Sequence, residues 1–181
     1  ALADACDVNR STLTCLTPPI ATSVDVDFFD WISQGWLQTS DYSACGEGRD
    51  MDQNQDVWLF ACMASGRVQA SLTGMSCDID LYVVGPGSCD ASSTCEGKST
   101  NGGSSPEFVT FQCEVGQIYY IAIERVDSDW WPFADCTRYE NFGYTIKMTC
   151  FEECDDLIDN DSDGLVDCLD NDCPICREAC T

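Results

Sequence analysis

The run from Cys154 to Cys173, C-D-D-L-I-D-N-D-S-D-G-L-V-D-C-L-D-N-D-C, limits what this chain can be more than any other segment. Asp159, Asp161 and Asp163 occupy alternate positions of a D-x-D-x-D-G loop, where successive carboxylates converge on one hard cation, and Gly164 allows the sharp turn that follows. The pattern continues with the Leu165 carbonyl at the seventh position, Asp167 at the ninth and Asp170 at the twelfth, where a longer Glu is usual. Calcium is therefore the expected ion, held more weakly or less bidentately than with Glu. A solvated acidic tail is the bland alternative. Such a tail has no reason to place a glycine after the third spaced aspartate, nor to bracket the run with Cys154, Cys168 and Cys173. The sequon Asn160-Asp161-Ser162 lies inside the loop, where a metal-bound turn would hinder a glycan, and is discounted.

Composition narrows the setting. At 181 residues the chain suffices for one domain of roughly 150 residues with a core, plus a small appendage. Fifteen cysteines point to an oxidising compartment, so the expected location is secreted, extracellular or at the cell surface. The opening Ala-Leu-Ala-Asp-Ala-Cys has neither a basic nor an apolar leader region, so any signal peptide is expected to have been removed. No stretch approaches the roughly twenty apolar residues of a bilayer span, so membrane insertion is not expected. The net charge of −24 opposes nucleic acid and anionic lipid and favours divalent cations, which would also relieve self-repulsion. Histidine is absent, which removes His-based nucleophile activation and His-ligated zinc. The Cys168, Cys173, Cys176 and Cys180 spacing could serve zinc or iron–sulfur, but thiols outside the cell oxidise. An odd cysteine count leaves at least one thiol free, paired with another chain, or joined elsewhere.

Between about residue 57 and residue 150 the chain reads as short strands separated by Gly, Pro, Asn and Ser. Val68, Ala70 and Leu72 alternate with Gln69, Ser71 and Thr73, and Tyr144, Ile146 and Met148 alternate with Thr145, Lys147 and Thr149. That period of two puts one face on a core and the other in water. The runs 57–62, 79–84, 108–113 and 118–123 are rich in β-branched and aromatic residues, and Gly85-Pro86-Gly87 and Asn101-Gly102-Gly103 read as turns. Upstream, Val24-Asp25-Val26-Asp27-Phe28 alternates like an edge strand or one that pairs with a neighbouring molecule, while Phe28, Trp31 and Ile32 fit a helical turn. Residues 1–20 read as an extended arm. Local pairs Cys6 with Cys15 and Cys89 with Cys95 are the expected disulfides, and Asn9-Arg10-Ser11 makes Asn9 a glycosylation candidate. Residues 151–181 hold eleven acidic residues against one basic, with five cysteines, and must be ordered by calcium and disulfides rather than by burial.

The segments Gly74-Met-Ser-Cys-Asp78-Ile-Asp80-Leu-Tyr-Val-Val, Glu107-Phe-Val-Thr-Phe, Gly116-Gln-Ile-Tyr119-Tyr120-Ile-Ala-Ile and Asn141-Phe-Gly143-Tyr144-Thr-Ile-Lys-Met-Thr-Cys150 resemble the successive strands of the bacterial peptidase pre-C-terminal (PPC) domain. The tail from Glu153 to Cys173 resembles the Cys-bracketed D-N-D-x-D-G-L-V-D-C repeat of myxobacterial-type secreted surface proteins, regarded as metal-binding. The first resemblance implies an all-β, antiparallel jelly-roll-like sandwich, non-catalytic, of a family whose members bind or position and in some cases hold calcium or extracellular polymers. The expected division is an N-terminal arm and first strand over 1–44, a PPC-like sandwich over 45–150, and a Cys-rich calcium-binding appendage over 151–181.

Two further groups were weighed. Asp78 and Asp80 could add a second calcium site, but two carboxylates read more simply as exposed turn acids. Trp130, Trp131 and Phe133 follow Asp127 and Asp129 on an expected loop, where they could stack on sugar, anchor a protein interface, or fold over the core. With thirty-two acidic residues, carboxylate pairs of the glycosidase kind arise by chance and carry no weight. The expected function is a non-enzymatic, calcium-binding structural or adhesive surface protein that assembles with copies of itself into a filament. The alternative is an accessory module of a secreted hydrolase that holds polysaccharide or collagen-like polymer.

Overall fold

Our computed structural model describes residues 10–24, 45, 55–87, 93–125, 142–151, 157–159, 161, 163–166 and 169. Among these residues nine strands and no α-helix occur. They are β1 (Thr12–Leu13), β2 (Ile20–Val24), β3 (Gln55–Ala61), β4 (Gly66–Thr73), β5 (Ile79–Val84), β6 (Cys95–Ser99), β7 (Glu107–Cys113), β8 (Ile118–Arg125) and β9 (Phe142–Cys150).

One sheet runs β1-β3-β8-β5-β6 and the other β2-β9-β4-β7. Leaving β1 aside, each sheet has four strands and the chain passes between sheets at every step except the β5–β6 hairpin, which is the jelly-roll arrangement. All the described pairings are antiparallel save one: β1 runs parallel to β3, with Thr12 opposite Leu59 and Leu13 opposite Phe60.

Period-two patterning explains the sandwich. Along β4 and β7 every second residue is buried, and the residues between them, such as Arg67, Phe108 and Gln112, face outward. The inward residues of both sheets meet in one core that includes Phe60, Leu72, Leu81, Phe111, Ile121 and Ile146. Phe111 packs between Phe60 and Tyr119, edge-on to the first at 5.9 Å and tilted against the second at 5.1 Å. The five-stranded sheet is also buried on its other face, where Val57, Tyr82, Val84 and Ala122 pack with Cys45. β5 is consequently buried throughout, which is why its sequence reads as an almost unbroken apolar run.

Three differences from the sequence reading follow from the topology. Thr12–Leu13, expected as part of an extended arm, form β1 in one sheet, and Ile20–Val24 follow as β2 in the other. Because the chain crosses between sheets there, Cys15 lies beside the end of β9 and bonds to Cys150, with Cα atoms 5.5 Å apart, rather than to Cys6. Cys95 opens β6 on the covered face and bonds to Cys45, not to Cys89. A third disulfide, Cys62–Cys113, ties the end of β3 to the end of β7 and so joins the two sheets. Cys77 is disulfide-bonded as well. β2, Ile20–Val24, lies at the edge of its sheet among the described residues, whereas residues 25–28 of the alternating run and the helical turn expected near Trp31 lie outside them. Asp80 is not an exposed turn acid: it is buried in β5 and accepts a hydrogen bond from Tyr82 Oη at 3.1 Å.

Candidate metal centre

The loop after β9 is shaped by its own aspartates. The backbone N–H of Asp163 lies 3.1 Å from Asp159 Oδ1 and 3.1 Å from Asp161 Oδ1, and donates to both. Gly164 N–H donates to Asp159 Oδ2 at 3.0 Å, and Leu165 N–H donates to Asp163 Oδ1 at 2.8 Å. Short polar side chains that bind their own downstream N–H groups favour tight turns over sheet or helix. Gly164 sits at φ 94°, in the left-handed region where a Cβ is strained, so the glycine is required by the turn.

This folding-back gathers one carboxylate oxygen from each of Asp159, Asp161 and Asp163 within 4.8 Å of one another. Two oxygens that each lie about 2.4 Å from a shared calcium ion can be at most about 4.8 Å apart, so the spacing suits a hard cation with oxygen ligands. Asp159 and Asp161 are half-buried and Asp163 is exposed, which leaves one side open to ligands or water. The donor set of this cluster is all oxygen, which suits a hard cation rather than a thiophilic one. Leu165, expected as a carbonyl ligand, is in the same turn. Asp167 and Asp170 lie outside the described residues, as do Trp130, Trp131, Phe133 and Asn9.

A second polar assembly, inside the sandwich, was not singled out in the sequence. Asp56 of β3 is fully buried. Its Oδ1 lies 2.9 Å from Arg10 Nε, and its Oδ2 accepts from Arg10 Nη2 at 2.9 Å and from Tyr144 Oη at 2.6 Å. Trp58 Nε1 donates to Tyr144 Oη at 2.9 Å, while Arg10 Nη2 also donates to the Ser23 carbonyl at 2.6 Å and Nη1 to Thr22 Oγ1 at 3.3 Å. Burial raises the Tyr144 phenol well above its ordinary range, and the neighbouring Asp56 charge raises it further, so the hydroxyl remains a donor. These contacts join β2, β3 and β9 through Arg10, two residues before β1. The signal available in the sequence was an aspartate directly before the apolar run 57–61, in a chain with only eight basic residues to pair it. At the start of β7, buried Glu107 accepts from Asn101 N–H at 2.9 Å and Asn101 Nδ2 at 3.1 Å and fixes the turn before the strand.

No protein-family model matches the chain, and no curated protein matches it. Among solved structures it is similar to the pre-peptidase C-terminal domain of a collagenase from Bacillus anthracis, at 12% identity and a TM-score of 0.43, over 81% of this chain and 100% of that one. It is also similar to CorA, a surface-associated copper-binding protein important in copper acquisition by Methylomicrobium album BG8, at 7% identity and a TM-score of 0.43, over 79% of this chain and 98% of that one.

Proposed function

We propose that the protein is a non-enzymatic extracellular structural or adhesive subunit whose C-terminal loop binds calcium. The convergence of Asp159, Asp161 and Asp163 oxygens in a glycine-hinged turn is the observation that carries this reading. The disulfides Cys15–Cys150, Cys45–Cys95 and Cys62–Cys113, with Cys77 bonded as well, support an oxidising compartment, and the charge of −24 supports a divalent partner over nucleic acid or anionic lipid. Asp159, Asp161 and Asp163, with the Leu165 carbonyl, Asp167 and Asp170 completing the pattern, would hold the ion. What calcium supplies is charge neutralisation and order in a segment with little to bury. A jelly-roll body with edge strands on both sheets supports self-association into a filament.

Thermal melting of the protein with calcium and with a chelator tests the ion. Calcium at about a hundred times its dissociation constant should stabilise by about 2.7 kcal/mol, and Asp161→Ala should abolish that gain. A melting curve indifferent to calcium, chelator and substitution would remove the site. Negative-stain microscopy with and without chelator tests assembly, and single subunits under both conditions would remove the filament. The accessory-module alternative is separated by retention on insoluble glycans, which Trp131→Ala should abolish and which a structural subunit should not show.

A further inference from the structure

Residues 10–24 lie on the sandwich as a strap. Their strands β1 and β2 are edge strands, one in each sheet, so lifting them off interrupts neither sheet's internal order. The strap is nevertheless specific to its seat. Leu13 is buried in the common core, Arg10 binds the buried Asp56, Ile20–Val24 pair in register with Phe142–Ile146, and Cys15 is bonded to Cys150. An empty seat would leave a hole at Leu13, a buried carboxylate without its guanidinium, and an open edge on β9. The segment that restores all of these at once is the same strap from another copy of the chain.

Length permits that exchange. Residues 25–44 separate β2 from Cys45, which is anchored to Cys95. Fully extended, that connection spans about 65 Å at ~3.3 Å per residue, against roughly 40 Å across a body of this size. Exchanging an identical element makes the same contacts between copies as within one, so the balance is set by local concentration and linker reach rather than by new surface.

We infer that residues 10–24 of one copy can complete the sandwich of the next, with the Cys15–Cys150 disulfide then formed between the two copies. The inference rests on the reading of the protein as a self-associating subunit. In the sealing step the Cys15 thiolate attacks a small-molecule disulfide and releases one small thiol. The Cys150 thiolate then attacks the mixed disulfide, forms the Cys15–Cys150 bond and releases the second thiol, so two protein thiols are oxidised as one disulfide is reduced. Each copy gives its strap forward and receives one behind. That contact is head-to-tail and, where the rotation does not close, yields an open chain of covalently joined subunits.

The test uses the full chain in two pools, one uniformly labelled with heavy nitrogen. Both are reduced under native conditions until alkylation of an aliquot shows free thiols at Cys15 and Cys150, then mixed equally at high concentration, reoxidised with a small-molecule disulfide and digested for mass spectrometry. Cys15 and Cys150 are only half-buried, whereas Cys62 and Cys113 are 3% and 1% exposed and join strands of one body. The expected result is hybrid light–heavy Cys15–Cys150 peptides, approaching roughly half of that link at full exchange, with Cys62–Cys113 remaining single-isotope. Single-isotope Cys15–Cys150 peptides overturn the inference, as does equal mixing at both links, which marks general thiol scrambling. Polymer seen by microscopy in a sample with single-isotope links would leave the subunit reading standing while the strap exchange fails.

Discussion

A carboxylate as deeply buried as Asp56 needs donors, and among the described residues two elements that are distant in sequence bring them. Arg10 supplies the opposite charge and Tyr144 a short hydrogen bond, each from a different part of the fold. Replacing Arg10 by Met keeps the stem and removes the guanidinium charge that faces Asp56; we expect a loss of about 3 kcal/mol in urea denaturation, partly recovered by adding Asp56→Asn. An unchanged midpoint in Arg10→Met would mean that the pair contributes nothing. Tyr144 gives a pH signature. Its folded pKa lies above the ordinary value of 10.0, so its contribution is complete below that pH. As pH rises further, the unfolded chain ionises its phenol while the folded chain does not, and stability falls. The advantage of wild type over Tyr144→Phe, about 2 kcal/mol at neutral pH, should therefore narrow above pH 10, as followed by denaturant titration at stepped pH. None of this pairing is visible along the chain: Arg10 reads only as the middle of a sequon, because nothing local reports a partner that β-sheet topology places 46 residues away.

At the level of strands the sequence is far more informative, since alternation is a local property and burial on one face enforces it. The alternating residues of β4 and β9 are the ones that reach the core, and the apolar runs at 57–62, 79–84, 108–113 and 118–123 all fall on strands or their ends. Strand edges are less legible. Ile20–Val24 carries no clean alternation to mark it as a strand, and β1 has only two residues to announce it. β6 is similarly weak in pattern, with no fully buried residue, and is placed by its neighbours: a Cβ on Gly97 would stand 2.6 Å from Val109 Cγ1. The glycine lets the edges of the two sheets close over one another where a stiff β-branched side chain cannot move aside. Gly97→Ala should cost about 2 kcal/mol by overpacking, and Val109→Ala should cost about 1–2 kcal/mol by leaving a void. Combined, the two should cost less than their sum, because each fills or vacates the other's space. Strict additivity of the three denaturation midpoints would show that the edges have room to part.

For the molecule as a whole, covalent links and charge act against one another. The Cys15–Cys150 and Cys62–Cys113 links span 135 and 51 residues and restrict the unfolded chain, whereas a net charge of −24 favours expansion. The partners of Cys15 and Cys95 were illegible in sequence because proximity along the chain favours Cys6 and Cys89, and only the crossing between sheets puts Cys15 at Cys150. The turn of Asp159, Asp161 and Asp163 was legible for the opposite reason: these three carboxylates and the hinge Gly164 fall within six residues, so local spacing alone brings them together. Charge and loop can be separated by salt. Monovalent salt should raise the melting temperature gradually in wild type and in Asp163→Ala alike, because screening acts on the whole surface and one carboxylate among thirty-two acids changes it little. Calcium at matched ionic strength should add a saturable increment in wild type that Asp163→Ala lacks, because that increment comes from a site in the folded state rather than from the ionic atmosphere. If sodium reproduces the whole calcium effect, or if the substituted chain keeps it, then the loop gathers its carboxylates through backbone hydrogen bonds alone and the acidic surface accounts for any divalent response.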